Sequence, residues 1–63
     1  MLNSIDRANK LAIELGDICN ALVDKTDDFD LKRLFKRLEA DTMDFRHKLS
    51  QATEKLKESN NRN

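Results

Sequence analysis

The stretch TDDFDLKRLFKRL, residues 26 to 38, changes from acidic to basic within a few positions. Asp27, Asp28 and Asp30 come first, and four basic side chains follow between residues 32 and 37. Aspartate is poor inside a helix but good at its N-terminus, where its oxygens accept unpaired amide protons and its charge opposes the helix dipole. We therefore expect a turn at about residues 25–27 and a new helix whose N-cap is Asp27.

Apolar residues on the two sides of this stretch form two patterns that are out of phase. Beyond it, spacings of three and four continue for more than three heptads, typical of a coiled-coil helix: Leu31, Phe35, Leu38, Thr42, Phe45, Leu49, Ala52 and Leu56. Before it, a broader stripe consists of Ala8, Leu11, Leu15, Ile18 and Leu22, flanked by Ile5, Ala12 and Cys19. The change of phase predicts two helices. Because the turn contains no Gly or Pro, a single long helix with a one-residue skip stays open.

Length and composition suggest that one copy of this chain has only a marginal core. The 63 residues include no proline, one glycine, one cysteine and one histidine. Charged residues make up 38% and aromatic residues 5%, which favours long helices over sheets. One cysteine and one histidine provide neither a disulfide nor a structural zinc site. Oligomerisation is the remaining common way to stabilise such a small domain.

We predict an all-α fold, a two-helix antiparallel hairpin that occupies residues 1–58. Helix 1 is expected at about 3–24, helix 2 at about 28–57, and a disordered polar tail at 59–63. A hairpin this thin cannot cover both apolar stripes, so two copies are expected to form a homodimeric four-helix bundle. The predicted dimer core consists of Leu15, Ile18, Leu22, Leu31, Phe35, Leu38, Phe45, Leu49 and Leu56.

The formal net charge of zero conceals a difference between the two parts of the chain. Residues 1–30 carry three basic and seven acidic side chains, whereas residues 31–63 carry nine basic and five acidic ones. This asymmetry favours self-complementary packing as readily as it favours an anionic ligand. No apolar run reaches the roughly 18 residues of a membrane span, and the first ten residues do not resemble a signal peptide. We therefore expect a cytoplasmic protein with no membrane partner.

Few side chains in this sequence suit catalysis or metal binding. Asp44 and His47 have the i, i+3 spacing of carboxylate-bridged metal sites in bundles, but His47 points away from the seam defined by Phe45. We expect Cys19 to be a small buried side chain rather than a reactive thiol. Thr42 is expected to bond its hydroxyl to a carbonyl one turn back. We predict no enzymatic activity, no metal and no cofactor.

The strongest candidates for a binding surface are four basic side chains, the basic cluster of Lys32, Arg33, Lys36 and Arg37. Helical spacing predicts three more solvent-facing side chains beside them, Phe29, Met43 and His47, of which Met43 and His47 complete the predicted partner-binding set. Such a mixture suits an acidic protein groove, or a phosphate backbone with stacked bases. The competing interpretation is a solvated face held in local i, i+4 ion pairs, namely Asp28–Lys32, Arg37–Asp41 and Asp44–Lys48.

The seams LFKRLEADTMDF and ALVDK, with the length of the chain, resemble the Rop family of plasmid-encoded helical-hairpin homodimers, which bind paired RNA loops. In that family the RNA-facing residues are basic, amide and aromatic, and they lie on the outer face of the first helix. The matching stretch here, NSIDRANKLAIEL, supplies Asn3, Arg7 and Lys10, but also Asp6 and Glu14, and no aromatic residue. In size and charge, the whole chain is also similar to small accessory proteins of the lambdoid phage early region, which often bind host proteins.

Together these features predict a small non-enzymatic regulatory or accessory protein of phage or plasmid type. It would act as a dimeric protein-interaction module on a host or cellular protein, through the basic cluster. The alternative is a Rop-like RNA-binding regulator that uses a basic helix face.

Overall fold

A computed structural model of the chain describes residues 1–61, which form two helices packed against each other as a hairpin. Helix α1 spans Leu2–Lys25 and helix α2 spans Phe29–Asn61. The predicted all-α helical hairpin is confirmed, and a single continuous helix is excluded. Helix α2 includes residues 59–61, which we predicted to be disordered, because no glycine or proline ends the helix there. Residues 62–63 of the predicted tail lie outside the described residues.

The turn between the helices consists of Thr26, Asp27 and Asp28. The N-cap of α2 is Asp28, because its carboxylate accepts a hydrogen bond from the amide of Leu31 at 3.0 Å. The prediction that Asp27 is the cap is therefore wrong by one residue. Thr26 is extended (φ −103°, ψ 142°), and its hydroxyl accepts a hydrogen bond from the amide of Asp28 at 3.2 Å. No non-glycine residue of the described chain has a positive φ, so this turn needs no glycine.

Small side chains form the contact between the two helices. Gly16 lies against Thr42, so closely that a Cβ at Gly16 would meet the Thr42 hydroxyl oxygen at 2.9 Å. The Thr42 hydroxyl donates a hydrogen bond to the carbonyl of Glu39 at 2.6 Å, as the predicted bond to the preceding turn requires. Among residues 1–59, the buried side chains are Ala12, Cys19, Val23 and Thr42. The hairpin interior thus contains no large side chain that is fully buried.

The stripe of α1 that faces α2 differs from the main seam identified in the sequence. Ala12 and Cys19, which were expected to flank that seam, are buried, whereas Leu11, Leu15 and Ile18 are exposed. The physical reason is size, because alanine, glycine and cysteine let two backbones approach closely and leucine does not.

The seam of α2 is divided in the same way. Its members at one heptad position are buried or half-buried against α1: Phe35, Thr42, Leu49 and Leu56. Its members at the other position, Leu31, Leu38 and Phe45, are exposed. A single partner helix covers one side of an a/d seam, and the other side stays open.

Candidate interaction surfaces

Seven large apolar side chains stay exposed along one side of the hairpin, and we call them the apolar face. Each is between 42% and 57% exposed: Leu11, Leu15, Ile18, Leu31, Leu34, Leu38 and Phe45. Leu11 and Ile18 of α1 are seven residues apart, and so are Leu31, Leu38 and Phe45 of α2. Each of these two sets therefore lies on one side of its helix.

A groove runs between the two helices on this side. Its walls include Leu11 and Leu15 of α1 and Leu38 and Phe45 of α2, which shows that both exposed stripes belong to one surface. Its floor is made of the small side chains of the helix contact, Ala8, Ala12 and Cys19. The polar residues that line it are Asp41 and Thr42. An apolar groove with so few polar groups is typical of a surface that another apolar surface covers.

The predicted dimer core is therefore distributed over two environments. Five of its members lie on the apolar face, Leu15, Ile18, Leu31, Leu38 and Phe45. The other four, Leu22, Phe35, Leu49 and Leu56, are half-buried.

The chain also exposes more surface than its size requires. It measures 55 × 15 × 10 Å, with a radius of gyration of 15.3 Å, compared with about 10.6 Å for a compact domain of this length. The accessible surface is 5469 Å², whereas a compact monomer of 7.3 kDa would expose roughly 4,200 Å². The excess of roughly 1,300 Å² exceeds the roughly 800 Å² that one partner contributes to a stable protein interface.

The opposite edge of the hairpin is polar. Arg46 donates a hydrogen bond from Nε to Oδ1 of Asn9 at 3.2 Å and so joins the two helices. Met43 and His47 lie on this edge and line the same shallow groove as Asn9 and Arg46. Met43 is 63% exposed, and His47 is exposed as predicted. Sequence reasoning missed the bond between Asn9 and Arg46, because no local pattern relates residues 37 positions apart.

The six predicted partner-binding residues do not form one compact site. Arg33, Lys36 and Arg37 are exposed, whereas Lys32 is half-buried. Successive residues of a helix are about 100° apart, so Arg37 lies on a different side of α2 from Lys36. Arg37 shares a depression with Leu34 at the border of the apolar face. Met43 begins the polar-edge groove about 10 Å further along α2 from Lys36. The predicted set is thus a stripe along α2 rather than a pocket.

The basic cluster is not neutralised by ion pairs in the part of the chain that the structure describes. The ion pair formed there is Lys48–Asp44, at 3.2 Å between exposed side chains. The pairs Asp28–Lys32 and Arg37–Asp41, which the alternative interpretation needs, are not formed among residues 1–61. The carboxylate of Asp28 instead accepts the capping hydrogen bond from the amide of Leu31. None of the four basic side chains of the cluster forms an ion pair within residues 1–61, although Arg33 and Arg37 share a surface depression with Asp30.

Residues 1–61 contain neither a metal-binding group nor a membrane-spanning stretch. No three histidine, cysteine, aspartate or glutamate side chains there converge as a metal-binding group. Neither α1 nor α2, as far as the structure describes them, has an apolar stretch long enough to cross a membrane.

Comparison with protein-family models, with curated proteins and with solved structures gives no match for this chain. The two-helix hairpin is compatible with a Rop-like architecture, and that compatibility concerns the architecture alone.

Proposed function

We propose that this protein works as a homodimer, a non-enzymatic protein-interaction module in which a second copy covers the apolar face and completes a four-helix bundle. The observation that supports the proposal is the exposure of this face, which has seven half-exposed apolar side chains along both helices, while no large side chain among residues 1–59 is fully buried. In a symmetric dimer the same surface is used twice, so one patch is its own complement.

The free energy gained by covering the apolar face is large enough to drive association of two chains. Covering a half-exposed leucine or phenylalanine contributes about 1 kcal/mol. A dimer covers the apolar face of two copies, so the total is on the order of 10 kcal/mol. This is of the same order as the cost of bringing two molecules together, about 4–15 kcal/mol.

Sedimentation equilibrium tests dimerisation directly. We expect a dimer at micromolar concentration, and we expect Leu38→Glu, which places a charge on the apolar face, to abolish it. Met43→Glu is the matched control, because Met43 is also exposed but lies on the polar edge. A folded monomer of the wild-type chain would contradict the proposal, as would equal loss of the dimer in both variants.

For the dimer we propose a regulatory or accessory role of the phage or plasmid type, by binding an acidic region of a host or cellular protein through the basic cluster. Arg33, Lys36 and Arg37 support this, because they are exposed and form no ion pair within residues 1–61 that would have to be broken before they bind. The neutral total charge of the chain favours a protein surface over a long nucleic acid, which requires many basic residues.

Capture from nuclease-treated bacterial lysate, followed by titration of the purified captured protein, tests this role. We expect binding to be lost when the four residues of the basic cluster are changed to glutamate. A control with the same number of reversed charges elsewhere, at Arg7, Lys10, Lys55 and Lys57, should still bind. If both variants bind equally, the basic cluster is only solvated surface.

An RNA-binding regulator is the second candidate, and one observation favours it. Phe29 is 71% exposed and lies one helical turn from Lys32 and Arg33, so an aromatic ring stands beside positive charge. Stacking of a base on such a ring, with phosphates bound by the cations, is the usual arrangement for single-stranded nucleic acid. This function predicts capture that nuclease abolishes and an affinity that falls steeply with salt.

A further inference from the structure

The proposed dimer can be formed in two orientations, which differ in where the two turns lie. The turns of the two hairpins lie either at the same end of the bundle or at opposite ends. With the turns at the same end, α1 of one copy packs beside α2 of the other. With the turns at opposite ends, α1 packs beside α1 and α2 beside α2.

Contacts within the hairpin fix which residues of α1 and α2 lie at the same level along the bundle. Gly16 lies against Thr42, and Asn9 is bonded to Arg46. By the same register, Leu11 is level with Phe45, as expected from the groove that both residues line. Ile18 is then level with Leu38, and Leu22 with Leu34, since residues on both helices rise by about 1.5 Å per position.

We propose, on the basis of the dimer proposed above, that the second copy docks with its turn at the same end. Three large apolar side chains of α1 then meet an apolar side chain of the partner at their own level, whereas Leu15 is level with the partner's Asp41. Leu11 faces the partner's Phe45, Ile18 faces the partner's Leu38, and Leu22 faces the partner's Leu34.

The opposite-end orientation brings charged residues against the apolar face. When it is centred at the level of Leu15, Leu38 meets the partner's Phe45, but Leu34 faces the partner's Lys48 and Asp41 faces its own copy. Asp41 lines the apolar groove, so this places like charges at the centre of the interface.

Moving the centre of the opposite-end orientation does not remove the conflict. When it is centred at Leu38, Leu34 faces the partner's Asp41 and Leu11 faces the partner's Lys25. Both opposite-end registers leave Leu34 against a charged residue, whereas the same-end orientation pairs Leu11, Ile18 and Leu22 with apolar residues in both helix pairs. It sets charged residues only against Leu15 and Leu31.

Charge favours the same orientation. Residues 13–24 of α1 carry three acidic side chains and no basic one, and residues 31–38 of α2 carry four basic side chains and no acidic one. The same-end orientation gives every α1 an α2 neighbour on two sides, so Asp24, at the end of the acidic segment, is level with Lys32 of both neighbours. The opposite-end orientation places the basic segment of one α2 beside the other α2 instead.

A spin label at the turn distinguishes the two orientations. Asp27 is exposed and is not the N-cap, so Asp27→Cys in a Cys19→Ala background should fold and accept a nitroxide. Asp27 lies 14 residues before Asp41 and 11 residues before Leu38, so in the two opposite-end registers above the turns are separated by about 42 Å or about 33 Å. Same-end turns are separated by less than about 20 Å, since neighbouring helices lie about 8–10 Å apart.

A label at Ala40 is the matched control. Ala40 is exposed near the middle of the bundle, so its two labels should be about 20–30 Å apart in either orientation. Sedimentation of the labelled chains checks that they dimerise as the wild-type chain does. Labelling Asp27→Cys with the buried Cys19 retained repeats the measurement in a native core.

We expect strong dipolar coupling between the labels at Asp27 and a distance below about 20 Å. A distance of about 33–42 Å at Asp27, with the expected distance at Ala40, would overturn the orientation and leave the dimer intact. The absence of dipolar coupling at both positions would mean that no dimer forms, and both proposals would then be wrong.

Discussion

Replacing Phe45 by alanine measures whether another surface covers the apolar face. Phe45 is 50% exposed in the isolated hairpin. If nothing covers it, the substitution removes about half of the stabilisation of a fully buried ring, or about 1 kcal/mol. If a second copy covers it, the substitution leaves a cavity in a bundle core and costs roughly 3–5 kcal/mol per chain, which counts twice for each dimer.

The assay is urea unfolding followed by circular dichroism, repeated over a roughly hundredfold range of protein concentration, because the midpoint of a folding reaction coupled to dimerisation rises with concentration. Met43→Ala is the control, since Met43 is 63% exposed on the polar edge and its truncation should change stability by about 0.5 kcal/mol or less. A loss near 1 kcal/mol for Phe45→Ala, with a midpoint that does not depend on concentration, would show that the reasoning about the apolar face is wrong.

Two further predictions concern the hairpin itself. Gly16→Ala should destabilise the protein by about 1–2 kcal/mol despite the better helix propensity of alanine, because the new Cβ meets the Thr42 hydroxyl at 2.9 Å. In a Thr42→Ala background the same change should be neutral or stabilising. Additive effects of the two substitutions in this double-mutant cycle would contradict the close contact. Asp28→Ala should lower the free energy of unfolding by about 1 kcal/mol through loss of the N-cap, whereas Asp27→Ala should stay within about 0.5 kcal/mol of wild type. Thermal unfolding of the two variants compares these effects. Equal effects would mean that Asp27 and Asp28 share the capping role.

The hairpin was predictable because periodicity and phase are properties of the sequence alone. Two seams of different phase separated by three aspartates favour a break over a single long helix, and the structure has it at Thr26 to Asp28. The exact cap was not predictable, because Asp27 and Asp28 have the same chemistry and only the geometry of the turn selects the one whose oxygen reaches the amide of Leu31.

Which stripe packs within the hairpin was harder to predict. A heptad pattern identifies apolar positions but does not say which neighbour covers each of them. On α1 the small side chains of Ala12 and Cys19 face α2, while Leu11 and Leu15 are left outside. Side-chain size carried this signal in the sequence, since closely packed helices need small residues at the contact.

The sequence identified the basic cluster, but it did not show whether the side chains of the cluster form ion pairs. The spacing of Asp28 and Lys32 permits an ion pair, but the structure does not form it, and the carboxylate of Asp28 instead accepts a hydrogen bond from the amide of Leu31. Such competition between a cap and an ion pair depends on where the helix begins, which a sequence locates only to within a few residues.

The small-residue contact between α1 and α2 has a consequence for the behaviour of the protein in a cell. A hairpin whose buried side chains are Ala12, Cys19, Val23 and Thr42 has little apolar surface with which to hold itself together. If folding and pairing are one reaction, newly made chains remain unfolded and open to proteases until a second chain is met. The amount of active protein would then rise with roughly the square of its synthesis rate, so weak expression would be silent and strong expression would be effective without any separate regulator.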